Sequence, residues 1–188
     1  IYNQKGSTGV LKEIELLKGD YVKGIYFEAI LNNKNLSQDE FKKILPSIGT
    51  SLESDFEKGK LLQAISSDQL TELQTTEIFF NAVKSIDSDF EKANVIKSFV
   101  KNQLTADQFA RALDATKTIE SDFEKSNVLK KILIESKSIE RFEQTLTVVN
   151  SIEKKKKKAG VLKQLIEKGS FSDDNFNQLI SSVGSISS

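Results

Sequence analysis

The stretch Ile86-Asp-Ser-Asp-Phe-Glu-Lys-Ala-Asn-Val-Ile96 returns, almost letter for letter, as Ile119-Glu-Ser-Asp-Phe-Glu-Lys-Ser-Asn-Val-Leu129. Its centre, Ser-Asp-Phe-Glu-Lys, stands at Ser54–Lys58, Ser88–Lys92 and Ser121–Lys125, and each copy follows an aliphatic residue: Leu52, Ile86 or Ile119. The frame extends back to Gly19-Asp20-Tyr21-Val22-Lys23 after Leu17, and on to Lys154–Lys158 after Ile152. With Ile186 as the last anchor, the spacings are 35, 34, 33, 33 and 34 residues. A fixed period of this length marks a repeat architecture in which each unit is one supersecondary element.

Each unit reads as two helices. The first opens on Ser54/Glu57, Ser88/Glu91 or Ser121/Glu124, the serine and N3 glutamate of a capping box. Apolar residues follow at helical spacing: Phe90, Val95, Ile96, Phe99 and Val100, or Phe123, Val128, Leu129, Ile132 and Leu133. One column is always small (Gly24, Gly59, Ala93, Ser126, Ala159), which lets neighbouring helices approach closely. The second helix is expected to open at Ser37, Thr71, Thr105, Ser138 and Ser172, with Glu40, Gln74 and Gln108 closing capping boxes. Its stripe runs through Phe41, Phe109, Phe142 and Phe176, then Leu45, Phe79, Leu113, Leu146 and Ile180, then Ile48, Ala82, Thr116, Val149 and Val183. A lone hairpin cannot cover such a stripe; stacking against neighbours does. Pro46 is expected to kink or end its helix near Leu45.

The expected fold is therefore all-α: an α-solenoid of five stacked hairpins, coiling as a right-handed superhelix, in a single repeat domain spanning 1–188. A leading helix covers 8–17, and the repeats fall at about 18–52, 53–86, 87–119, 120–152 and 153–186.

Composition narrows the chemistry. The chain has 188 residues, 38% of them hydrophobic, and a single Pro, which excludes a disordered segment. Its 27 basic and 27 acidic residues cancel, so no global field draws it to nucleic acid or an anionic membrane. Arg111 and Arg141 are the only arginines, which argues further against phosphate or guanine recognition. His and Cys are absent, removing the commonest general base, the thiolate nucleophile and the usual zinc ligands. A chain that starts at Ile1 and holds no Met is expected to be a processed or excised piece of a longer product. No apolar run reaches the length of a transmembrane helix.

The phrase Ile-x-Ser-Asp-Phe-Glu-Lys-x-x-Val-Leu resembles a bacterial α-helical hairpin repeat of the HEAT- and TPR-like kind, found in cell-envelope proteins, including regions accompanying BlaR-type membrane metallopeptidases. The resemblance implies a repeat type and an extracytoplasmic, periplasmic location. It carries over no activity, because the peptidase's His-Glu-x-x-His motif cannot occur in a chain without His.

Asp87-x-Asp89-x-Glu91 lacks the glycine and distal glutamate of a calcium loop and reads as helix capping, as does Ser172-Asp173-Asp174-Asn175. Lys154, Lys155, Lys156, Lys157 and Lys158 replace a whole repeat block, with Lys156 where other units hold an aromatic. They read as a degraded, solvated cap or as an anion-binding patch. The phenylalanines could form a base-stacking ladder, but they share a stripe with Leu and Ile, so they are expected to pack in the core. No carboxylate pair sits in an apolar surround that would fit it for acid–base work.

The expectation is thus a non-enzymatic scaffold that binds a protein or peptide on the concave face of the solenoid, without metal or cofactor. The second helices would supply Lys43, Glu77, Arg111 and Gln144 as contacts, with the Lys154–Lys158 run as a further partner surface. Two other readings stay open: a spacer or regulatory region of a larger envelope-associated protein, and a His-free carboxylate hydrolase.

Overall fold

The computed structural model describes residues 2–33, 35–101, 104–135, 141–169 and 171–187. Among them every regular element is helical. The helices are α1 (Tyr2–Leu16, broken by a kink at Gly6, whose φ is 61°), α2 (Asp20–Leu31), α3 (Gln38–Ser51), α4 (Asp55–Gln63), α5 (Leu73–Lys84), α6 (Asp89–Phe99), α7 (Ala106–Lys117), α8 (Asp122–Glu135), α9 (Phe142–Asn150), α10 (Lys155–Lys168) and α11 (Asp173–Ser187), with a 3-10 turn at Ser67–Gln69. The chain forms two compact units, Ile1–Phe99 and Val100–Ser188.

In the first unit, α2, α4 and α6 form one layer and α1, α3 and α5 the other, each helix packing on the one two places along. Phe27, Ile44, Leu45, Ile48, Leu62, Val83 and Ile96 are fully buried between the layers. Phe79, Phe80 and Phe99 form an aromatic knot, with ring centroids 4.9–5.2 Å apart. In the second unit, α8 and α10 face a layer of α7, α9 and α11. Leu113, Val128, Leu129, Leu133, Val149, Val161 and Leu165 fill its core. The stripe buried in α9 (Phe142, Leu146, Val149) is exposed at its matching positions in α11 (Phe176, Ile180, Val183).

Local expectations met three corrections. Pro46 does not end its helix; α3 runs on to Ser51. Ile44, Leu45 and Ile48 are fully buried on both sides of the proline and hold the helix through it. Thr71 is not a helix cap. The segment after α4 first forms the 3-10 turn, where the Ser66 N–H donates to Gln69 Oε1 at 2.8 Å, and α5 then starts at Leu73 behind Glu72. Phe90 and Phe123 do not belong to the core stripe. They are 58% and 51% exposed, because each lies six residues before a buried aliphatic residue, Ile96 or Leu129, and so about 120° round the helix from it. Capping boxes do form at Ser37/Glu40 and Thr105/Gln108. Ser138 lies outside the described residues.

Candidate interaction surface

The Ser-Asp-Phe-Glu-Lys block can be taken apart residue by residue. The serine caps its own helix: Ser54 Oγ accepts the Glu57 N–H at 3.3 Å, and Ser88 Oγ and Ser121 Oγ accept those of Glu91 and Glu124 at 3.4 Å. The N–H of the cap residue itself goes elsewhere than the capping-box glutamate. Ser54 N–H donates to Asp20, Ser88 N–H to Asp55 at 2.6 Å, and Lys154 N–H to Asp122 at 2.7 Å. The aspartate of one block thus binds the helix start of the next, where orphan N–H groups and the positive end of the dipole favour an anion.

The glutamate fills the space left by the small column. A Cβ on Gly24 would come within 2.8 Å of Glu57 Oε2, and one on Gly59 within 2.8 Å of Glu91 Oε2. The lysine closes its own hairpin. Lys23 Nζ donates to the Ser51 carbonyl at 2.7 Å and Lys58 Nζ to that of Ser85 at 3.2 Å, both at helix C-termini. In the second unit Lys125 reaches Ser151 Oγ at 3.3 Å and Lys158 reaches Ser185 Oγ at 3.0 Å.

That leaves the aromatic. Tyr21, Phe56 and Phe90 in the first unit are 70%, 62% and 58% exposed, on the successive helices α2, α4 and α6. Phe123, its counterpart in the second unit, carries Lys157 Nζ 4.3 Å above its ring centroid. That is cation–π range, worth about 0.5–1 kcal/mol at an exposed site. Spacing held the signal for the row: Phe90 lies six residues before Ile96, about 120° round the helix from it.

The second-helix residues named from sequence fall differently. Lys43 and Glu77 are exposed. Arg111 Nε donates to Asp107 Oδ2 at 2.8 Å, within α7. Gln144 Nε2 donates to the Ala110 carbonyl at 3.1 Å and to Asp114 Oδ1 at 2.9 Å, tying α9 to α7. Lys42, beside Lys43, is held above its ordinary 10.5 by hydrogen bonds to Glu72 first and Asp39 second. Lys60 is raised likewise by its bond to Glu28, with smaller contributions from Glu57 and Tyr21.

No family model, curated protein or solved structure matches the chain.

In the lysine run, Lys154, Lys155 and Lys156 are exposed, while Lys157 and Lys158 are half-buried and engaged with Phe123 and Ser185. Lys154 is the N-cap of α10 and makes no side-chain cap bond. Ser172 Oγ accepts the Asn175 N–H at 3.3 Å, so that acidic cluster begins with a cap. Among the described residues no group of His, Cys, Asp or Glu is arranged to hold a metal. No described helix is long and apolar enough to cross a membrane.

Proposed function

We propose that this chain is a non-enzymatic scaffold for a protein or peptide partner, its hairpins continuing as a right-handed α-solenoid. One observation carries the reading. Within the repeated block the serine, aspartate, glutamate and lysine each have a bond or a packing role inside the fold, whereas the aromatic stays more than half exposed at Tyr21, Phe56, Phe90 and Phe123. A large ring kept in solvent at one register position through four consecutive repeats fits a contact surface. Lys43 and Glu77 would form a second contact face on α3 and α5. Arg111 and Gln144 are less suited to it, being bonded to Asp107 and to Ala110 and Asp114. The extracytoplasmic placement rests on the motif's resemblance to envelope repeats.

The test is selection of displayed random peptides on the immobilised chain, with the Phe56→Ala/Phe90→Ala variant as counter-bait. Peptides retained by the parent and not by the variant support the reading. A parent that enriches nothing overturns it.

A further inference from the structure

The chain is neutral as a whole, but its charge is unevenly placed: the run after Ile152 holds Glu153 and five lysines, while the block after Ile119 holds Glu120, Asp122 and Glu124 against Lys125. The blocks after Leu52 and Ile86 each carry three carboxylates against one lysine: Glu53, Asp55 and Glu57 with Lys58, then Asp87, Asp89 and Glu91 with Lys92. Glu53 and Asp87 are exposed, directly before the blocks that bear Phe56 and Phe90. Phe56 and Phe90 therefore stand beside exposed carboxylates, and Tyr21 extends the row into a block holding Lys18, Asp20 and Lys23.

The second unit shows what such a ring accepts. Lys157, standing where the other blocks have glutamate, places its ammonium over Phe123. One repeat after Tyr21 and Phe56 the same position is held by Glu57 and Glu91, so those rings have carboxylates nearby in register in place of a cation. Lys60, beside Tyr21, is already held by Glu28 at 2.9 Å.

Building on the protein-binding reading above, we propose that Tyr21, Phe56 and Phe90, with Glu53 and Asp87, dock an extended basic segment of a partner protein. Its Lys or Arg heads lie over the rings and between the carboxylates, as Lys157 lies over Phe123, and its apolar side chains cover the ring edges. Electrostatic attraction draws the segment in, and the rings select cations flanked by apolar groups.

The probes are two fluorescein-labelled twelve-residue peptides, one alternating Lys and Leu and one alternating Ser and Leu, followed by anisotropy with the whole chain. The Lys-Leu peptide is expected to bind at least tenfold tighter than Ser-Leu, and to weaken as salt is raised. Phe56→Ala/Phe90→Ala and, separately, Glu53→Lys/Asp87→Lys should each weaken it about tenfold, with helical circular dichroism and thermal midpoint unchanged. Equal affinity for the two peptides overturns the basic class while leaving docking at the row intact. Lys-Leu binding that survives both variants overturns the site. If neither peptide binds while display selection still yields binders, this inference alone falls.

Discussion

The Asp55 carboxylate accepts the backbone N–H of Ser88, 33 residues later, at 2.6 Å. Asp20 does the same for Ser54. This bond turns one repeat's helix start into the anchor of the next. Asp55→Ala should leave a part-buried N–H without its charged acceptor and cost about 1–3 kcal/mol. Urea denaturation checks this, and Lys43→Ala, at an exposed position of α3, is the comparison expected to change little. Equal midpoints for both variants would show that the bond between repeats contributes nothing.

The two classes of phenylalanine should respond in opposite ways. Phe99 is 1% exposed and stacks on Phe79 at 4.9 Å, so Phe99→Ala opens a cavity and is expected to cost about 3–5 kcal/mol. Phe56 is 62% exposed, and Phe56→Ala should stay within about 0.5 kcal/mol of the parent. Thermal midpoints measured side by side decide it. A large loss at Phe56 would make the aromatic row structural and remove the ground for a docking surface.

These contrasts mark where sequence reasoning succeeds. The period, the helix pairs and the buried anchors Leu52, Ile86, Ile119 and Ile152 follow from capping residues and apolar spacing, which are local signals. Ser37/Glu40 and Thr105/Gln108 close their boxes as their spacing implies. At Ser54 and Ser88 the same spacing misleads, because the N–H in question is claimed by an aspartate a full repeat away, and no local pattern encodes that competition. Phe90 is hydrophobic enough to read as core, yet its angle around the helix leaves it 58% exposed. Gln144 looked like a surface contact because its partners Ala110 and Asp114 lie on a different helix.

Pro46 gives a third test. It lacks the N–H that an interior helical residue would donate to the Lys42 carbonyl, yet α3 continues past it. Pro46→Ala restores that donor at an exposed position, at the cost of a more flexible unfolded chain. The balance should stabilise the protein by about 2 kcal/mol, read as a higher urea midpoint at unchanged slope. A loss of stability would mean that the ring itself contributes packing that alanine cannot supply.

The lysine run offers the converse experiment, repair of a damaged block. Lys154 stands at the N-cap of α10 without a cap bond, and Lys155 places a cation where the helix dipole favours an anion. The backbone bond from Lys154 N–H to Asp122 does not depend on the side chain and should survive substitution. Lys154→Ser should stabilise by about 1 kcal/mol through a new hydroxyl cap. Adding Lys155→Asp should contribute about 0.3–1 kcal/mol more, with the gain shrinking in high salt. Lys163→Ser, an exposed change in the middle of α10, is the control and should be neutral or slightly destabilising. If the repaired block raises the thermal midpoint, the run is held against a cost in stability, which favours the anion-binding reading over simple decay of the cap only where an anionic peptide also binds the parent better than the repaired chain. If the midpoint does not move, the start of α10 is set by Asp122 alone, and the side chains of the run are energetically silent.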